Sequence, residues 1–416
     1  MKVIVAFIIT TFIMTAEAAP SSKLCDRLEE VLQHIHDLYI SDTNDDELAD
    51  AAIQGMLTSL DPHSFYLSPR RFRQLKHEAL GEFGGIGVEL ALKDGNVHVI
   101  TAIDNTPASL ANLSTNDIIT HIDNQAITPQ NMQEMIDQLR GPVDSTVQLR
   151  IRREGEYFDI SLKRAIIQVP PIKWRTEQQI GYIRITTFNE RTEGALKDAV
   201  TGIKEQLGDE LCGVVLDLRN NAGGLLDQAV KVADSFLDKG EIVSTRGRDG
   251  TVLHRYKARP GDILARIPII VLINAGSASA AEIVAGALQD NHRAYIMGQP
   301  SFGKGSVQKI IPLSNSGAIQ LTIHRYFTPH GHEIQGYGIT PNIIVPPQLL
   351  VVSSTTSIAN TREKDIPGAL NSQTLQDIKN GQHFADPSPA LMQDYLLRRA
   401  VDLLMAKSFL TSKEPL

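Results

Sequence analysis

Apolar and polar positions divide the chain into stretches of different period. Leu28, Val31, Leu32 and Ile35 fall at i, i+3, i+4 and i+7, one apolar stripe of a helix within a helical segment spanning 22–80. That segment closes on Leu60-Asp61-Pro62-His63-Ser64, where proline stops a helix, and on a basic amphipathic stretch through Arg70, Arg71, Arg73 and Lys76. From Phe83 the period shortens. FGGIGVELALKDGNVHVITAI reads as two β-rich runs about a turn at Asp94-Gly95, followed by a helix-like stretch from Pro129 to Leu139. Val147 to Ile151 and Tyr157 to Leu162 alternate as strands around Glu154-Gly155, so residues 83–167 are predicted to form a compact β-rich module.

Two copies of one supersecondary pattern come next. Gly213 to Leu218 is an apolar strand, Arg219 to Gly224 a polar glycine-rich turn, and Leu225 to Leu237 a helix with Leu226, Val230, Ala233 and Leu237 at helical spacing. Ile267 to Ile273, Asn274 to Gly276 and Ala280 to Leu288 repeat the pattern. Strand, glycine turn and helix, twice, predict an α/β core whose parallel sheet carries its working loops at the strand C-terminal ends. Beyond Pro347 the chain is polar, with 350–388 reading as linker and a last helix from Ala390 to Met405.

Composition narrows the class. With 416 residues, 42% of them hydrophobic, the chain is long enough for several buried cores. A net charge of -8 and the lack of a long Lys/Arg run exclude a nucleic-acid surface. MKVIVAFIITTFIMTAEAAP has one lysine, an apolar run from Val3 to Met14 and a small-x-small site at Ala16-Glu17-Ala18, the layout of a signal peptide over 1–18. An apolar run of that length falls short of the roughly 20 residues of a membrane span, although an uncleaved anchor is the competing reading. Export is therefore expected, with a periplasmic or other extracytoplasmic destination. Cys25 and Cys212 are the only cysteines and read as structural thiols.

The candidate chemistry lies in NAGSASAAEI, residues 274–283, where Ser277 and Ser279 stand one alanine apart before a helix. Unsatisfied N–H groups at a helix start favour developing negative charge, so a serine there has half an oxyanion hole beside it. Asn220-Asn221-Ala222-Gly223-Gly224 can supply the other half, since glycines let backbone approach a substrate carbonyl closely. The bland alternative is an N-cap serine beside an ordinary turn. A serine nucleophile also needs a base. His292, His324, His330 and His332 are candidates, and His330-Gly331-His332 raises metal binding without a further ligand cluster to support it. Lys304, in Ser301-Phe302-Gly303-Lys304-Gly305, is the other. A lysine must be desolvated to fall from about 10.4 to roughly 7–8. Phe302, Val307, Ile310 and Ile311 offer apolar walls, and no carboxylate lies closer along the chain than Asp290.

The motifs together resemble the carboxyl-terminal processing peptidases, the tail-specific serine proteases of the S41 family. LDPHSFYL at 60–67, FGGIGVEL at 83–90, NTPASLANL at 105–113, GYIRITTFNE at 181–190 and VVLDLRNNAGG at 214–224 carry the likeness. GSASAAEIVAGALQD at 276–290, SFGKGSVQ at 301–308 and GYGITPNIIV at 336–345 continue it, so that it spans Leu24 to Pro347. The resemblance implies an α/β protease core of crotonase/ClpP-like type over 168–347, an inserted PDZ domain over 83–167 and helical terminal segments. It implies that Ser279 is the nucleophile, that Lys304, 25 positions on, is the base, and that Gln308 holds the lysine. The oxyanion would be held by Ala280 and by Gly223 or Gly224, with the first glycine favoured.

Residues 83–167 would capture protein substrates by an accessible apolar C-terminus, the terminal carboxylate entering the loop of Gly84, Gly85, Ile86 and Gly87. No cofactor and no metal are implied, and both an adaptor protein and a homo-oligomer are compatible with the flanking helices. Departures from the family pattern are Ala222 for a common proline, Asn112 and Asn116 for glycines in the PDZ-like module, and Asn342 for a frequent aspartate. Two other classes stay open on residues alone. One is a catalytically silent PDZ scaffold and the other a crotonase-like acyl-CoA enzyme, which leaves the PDZ-like insertion and the Ser/Lys pair unexplained.

Overall fold

The computed structural model describes residues 22–93, 95–128, 131–314, 317–346, 367–368 and 394–411. The signal-peptide stretch 1–18, Asp94, Pro129 and nearly all of the expected linker lie outside the described residues. Among the described residues no helix is long and apolar enough to cross a membrane. The chain divides after Met56 into two compact units. The first contains α1 (Ser22–Leu38) and most of α2 (Asp45–Thr58), whose first turn carries Asp45, Asp46 and Glu47 where a helix start favours negative charge. His36 Nε2 lies 2.6 Å from Asp45 Oδ1 and links the two helices.

The expected helical segment 22–80 is thus not one piece. From Leu57 onward its residues belong to the larger unit. The reason is a short strand, β1 (Phe65–Leu67), which pairs antiparallel with the strand Ala318–Phe327 of the α/β core, and α3 (Pro69–Ala79) follows it. Ser68 caps α3 by accepting the Arg71 N–H, and Pro69 sits where a missing N–H costs nothing.

The β-rich module contains β2 (Glu82–Gly85), β3 (Val88–Lys93), β4 (Asn96–Ala102), α4 (Pro107–Leu110), β5 (Ile118–Ile122), β6 (Gln125–Ala126), α5 (Met132–Asp137), β7 (Thr146–Arg153), β8 (Glu156–Lys163) and β9 (Ala165–Gln168). Its sheet runs β3-β4-β5-β7-β8, with β6 on β5, over a core of its own that includes Val97, Val99, Ile119, Met135, Leu149 and Ile151. Chain entry and exit are zipped together by the antiparallel β2/β9 ladder. Arg191 of the α/β core pins that ladder, reaching Gln168 Oε1 at 2.5 Å and Glu82 Oε1 at 3.1 Å.

The core comprises β10 (Ile172–Glu177), β11 (Ile180–Ile185), α6 (Thr192–Leu207), β12 (Gly213–Asp217), α7 (Leu226–Asp234), β13 (Glu241–Arg246), β14 (Val252–Lys257), β15 (Ile269–Ile273), α8 (Ala280–Asp290), β16 (Ala294–Gly298), β17 (Ser306–Pro312), β18 (Ala318–Phe327) and β19 (Ile343–Ile344). Its sheet has the order β10-β11-β12-β15-β16-β19, parallel except for the β10/β11 pair. GVVLD and IIVLI are buried throughout, as strands covered on both faces must be. Val214, Leu216, Val271 and Ile273 face a core shared with α6, α7 and α8. Val215, Ile270 and Leu272 face the other way, onto Leu397, Ala400 and Leu404 of α9 (Tyr395–Thr411). Asp394 caps α9 through the Leu397 N–H, and residues 390–393 of the expected last helix lie outside the described residues. A second sheet joins β1, β13 and β17 to the long strand β18, with β14 on β13.

Candidate active site

Three loops leave the C-terminal ends of adjacent parallel strands: 218–224 after β12, 274–279 after β15 and 299–305 after β16. Ser279 ends the second and heads α8. Its φ of 54° and ψ of -114° place a non-glycine residue in left-handed backbone, a strain on the order of 1–3 kcal/mol that surrounding bonds must hold. Among the described residues no hydrogen-bond partner is found for the N–H of Ala280, the first residue of the helix. That orphan donor at a helix N-terminus suits a developing oxyanion. Ser277 differs. It is buried, its hydroxyl donates to the Leu218 carbonyl at 2.8 Å and accepts the Asn274 N–H at 3.0 Å. Its oxygen is committed to the turn.

The glycine loop is tied to the serine loop at three points. Asn220 and Asn274 exchange hydrogen bonds, each 2.9 Å, and the Ala278 N–H donates to the Asn221 carbonyl at 2.9 Å. Gly223, at φ 105°, lies so close to the serine that a Cβ there would stand 2.9 Å from Ser279 Cβ and 3.1 Å from the Ala280 nitrogen. Only glycine fits that approach. The Gly223 N–H, however, donates to Asn221 Oδ1 at 2.8 Å, while the N–H of Gly224 has no partner among the described residues. Of the two glycines, the second presents the unengaged donor.

The lysine loop joins the serine loop through the Phe302 N–H and the Ser277 carbonyl, 3.0 Å. The GYGIT segment cradles it. Gly336 N–H reaches the Gly303 carbonyl at 2.8 Å, Gly305 N–H reaches Gln335 Oε1 at 3.0 Å, and Ile339 N–H reaches the Ser301 hydroxyl at 2.6 Å. Ser279 and Lys304 meet through a residue that the sequence reading leaves out. Glu282 Oε2 accepts the Ser279 N–H at 2.7 Å and the Lys304 N–H at 2.9 Å, so the two backbone nitrogens are no farther apart than those bonds laid end to end. Burial pushes the Glu282 carboxyl up to about 7 against the pull of its bonds to Ser301, Ser279, Gly303 and Lys304. A carboxyl therefore does border the lysine loop, although none is near it along the chain. Its signal is present as S-x-x-E, the capping-box pattern Ser279-Ala280-Ala281-Glu282.

Gln308 stands on β17 opposite Thr322 of β18. Its Nε2 donates to the Ser306 hydroxyl at 2.8 Å and reaches Thr322 Oγ1 at 3.4 Å. Thr322 Oγ1 in turn donates to Asp61 at 3.1 Å, and Asp61 takes the Ser64 hydroxyl at 2.7 Å and the His63 N–H at 2.8 Å. Asp61 and Ser64 of the LDPHS motif are thus buried and linked through Thr322 to the glutamine. The candidate histidines lie elsewhere: His292, His330 and His332 gather with ring centroids 6.2 and 6.3 Å apart near Asp290, the opposite end of α8 from Ser279. The His324 ring lies tilted against that of His254, centroids 6.4 Å apart. Among the described residues no hydrogen bond joins any of the four to Ser279, and no group of three or more His, Cys, Asp or Glu is placed to hold a metal ion.

In the β-rich module β3 is an edge strand, open to strand addition. Gly84 and Gly85 belong to β2 and pair with β9, leaving Ile86 and Gly87 as the loop proper, with no partner for either N–H among the described residues. Gly87, at φ 80°, packs against Thr106, into which a Cβ would run.

Three loops at the C-terminal ends of parallel strands, with a serine at a helix head and an unengaged N–H behind it, are the framework of a serine hydrolase, and the β-rich module carries an edge strand beside a glycine loop. Family models match the same segments: peptidase family S41 over 179–345, a PDZ domain over 84–163, and the N-terminal domain of the activating protease CtpB over 12–70. The chain is 48% identical over 322 residues to a carboxy-terminal-processing protease of Bartonella bacilliformis, covering 77% of this chain and 74% of the relative. It is 35% identical over 326 residues to a probable CtpA-like serine protease of Staphylococcus aureus, of which it spans 64%. Among solved structures, the photosystem II D1 C-terminal processing protease matches at 30% identity and a TM-score of 0.49, over 77% of this chain and 87% of that one. The chain belongs to peptidase family S41, among its carboxy-terminal-processing proteases with a PDZ domain, and is an enzyme acting on peptide bonds.

Proposed function

We propose that the enzyme cleaves proteins near their C-termini with a Ser279/Lys304 dyad. Neutral Lys304 removes the Ser279 proton as the hydroxyl attacks the scissile carbonyl, and the acyl-enzyme formed when the amine leaves is resolved by water. Gln308, braced by Ser306 and Thr322, orients the lysine. The tetrahedral oxyanion is met by the N–H of Ala280 and by the glycine turn, where Gly224 presents the open donor and Gly223 contributes once Asn221 releases it. The observation that carries this reading is the strained Ser279 at the head of α8, with Gly223 packed against it and the Ala280 donor unengaged.

The PDZ domain pairs the extended tail of a substrate with β3 and takes its carboxylate at Ile86 and Gly87, with Gly84 and Gly85 holding the loop through β2. An apolar tail suits that mode. The core is of crotonase/ClpP-like type, with the PDZ domain over 83–167 and the protease core over 168–347 as the motifs divide them. The N-terminal stretch directs export, so the site operates outside the cytoplasm.

Cleavage of a quenched-fluorescent peptide with a free apolar C-terminus tests the dyad. Ser279→Ala and Lys304→Ala each abolish turnover with folding intact. Ser277→Ala keeps it, at a stability cost of about 1–3 kcal/mol for the two lost hydrogen bonds to Leu218 and Asn274. Turnover surviving in either of the first two sinks the assignment.

A further inference from the structure

Helix α8 is buried from Ala280 to Leu288, and one of its buried side chains is charged. Glu282 is 0% exposed. A carboxyl so placed is retained only where donors surround it, and this one has four. Oε1 accepts the Ser301 hydroxyl at 2.5 Å and the Gly303 N–H at 2.7 Å. Oε2 accepts the N–H of Ser279 at 2.7 Å and of Lys304 at 2.9 Å. The Ser301 oxygen itself accepts the Ile339 N–H, which turns its proton toward Glu282.

We infer that Glu282 is the positioning residue of this site, a carboxylate that sets the distance between nucleophile and base by gripping the backbone of both. The inference rests on the Ser279/Lys304 reading and adds to it a residue that touches no reacting atom. Three features separate this role from ordinary support of a fold. The donors come from two different loops, each carrying one member of the dyad. A single oxygen, Oε2, joins the two members. The residue it grips on the helix side is the strained one, so loss of the bond lets Ser279 relax out of the conformation that aims its hydroxyl. A displacement of about 1 Å at such a point costs on the order of a hundredfold in rate.

The test compares Glu282→Met, which keeps the volume and has no oxygen, Glu282→Asp, which withdraws the carboxylate by one methylene, and Glu282→Gln. Ser279→Ala and Lys304→Ala serve as references on the same peptide. Glu282→Met is expected to lose about a hundredfold in kcat with KM within about threefold, and Glu282→Asp about tenfold. Glu282→Gln is expected to recover to within about tenfold of the parent, since its amide oxygen can still take both N–H groups at the Oε2 position. Kcat within about threefold of the parent in Glu282→Asp overturns the inference. So does a fall in kcat that only tracks loss of folded protein by circular dichroism. If Glu282→Met does not fold, the Asp and Gln variants decide. Dead reference variants beside active Glu282 variants remove this inference alone, whereas an active reference variant removes the dyad reading beneath it.

Discussion

Ser279, the proposed nucleophile, differs from its neighbour Ser277 less in its side chain than in its backbone. Ser277, two positions earlier, has the same hydroxyl and commits it to Leu218 and Asn274. What distinguishes Ser279 is backbone: a left-handed φ, the Ala280 donor behind it and the grip of Glu282. That grip has a measurable consequence in pH dependence. The Glu282 carboxyl, ordinarily near 4.5, is raised to about 7 in the folded chain, chiefly by burial. The folded state then holds more protons than the unfolded one between those values, so this group's contribution to stability is full below about 4.5 and is lost as pH rises through about 7. Glu282→Gln, which cannot titrate, lacks that loss. In a Ser279→Ala background, the stability of the chain that keeps Glu282, measured relative to its Glu282→Gln variant, should fall by roughly 3 kcal/mol from pH 4.5 to 8 in urea unfolding. A difference that stays flat over this range refutes the shift. Glutamate on a helix reads from sequence as a solvated face, and only the fold, by bringing the 301–305 loop over α8, makes it buried.

At the scale of elements, the runs GVVLD and IIVLI announce buried parallel strands because nothing polar interrupts them before the final Asp217. The two glycine turns that follow are equally plain. Less legible is the sheet built on β18, since β1 has three residues and β17 carries mixed polar and apolar positions, too weak a pattern to assign before the partner strand is known. Yet that sheet connects the LDPHS motif to Gln308. Thr322→Val keeps the shape and removes the hydroxyl between Asp61 and Gln308. We expect a several-fold fall in kcat, KM unchanged, and a stability loss of about 1–2 kcal/mol. In a Gln308→Ala background the same substitution should leave the rate where it is, because the two residues act in series. Independent, multiplicative losses would show that Thr322 reaches the site by another route or not at all.

At the scale of the whole larger unit, the C-terminal helix α9 closes the face of the sheet that α6, α7 and α8 leave bare. Leu397, Ala400 and Leu404 cover Val215, Ile270 and Leu272. An ionic latch marks where it docks. Arg219, the second residue after β12, leads into the glycine loop and grips the fully buried Asp217 at 2.6 Å with Nη2 and 2.9 Å with Nε. The same guanidinium holds Asp394, the cap of α9, by two bonds of 2.9 Å. Burial alone would lower the arginine, but the bonds to Asp394 and Asp217 outweigh it and hold its proton firmly. Asp217 also accepts the Tyr182 hydroxyl at 2.7 Å, and burial, with Asp217 close by, pushes that phenol up. The two carboxylates are not equivalent. Asp394 is half-exposed and its pairing is partly screened, so Asp394→Ala should cost only about 1 kcal/mol. Arg219→Met strands Asp217 in the core with Tyr182 and the longer 3.5 Å contact to Arg184, and should cost about 3–5 kcal/mol. Urea unfolding of both variants, read against the parent chain, decides the point. Equal losses would mean that the docking of α9, rather than the buried charge on Asp217, sets the energy of the latch, and the glycine loop would then owe its anchorage to the C-terminal helix.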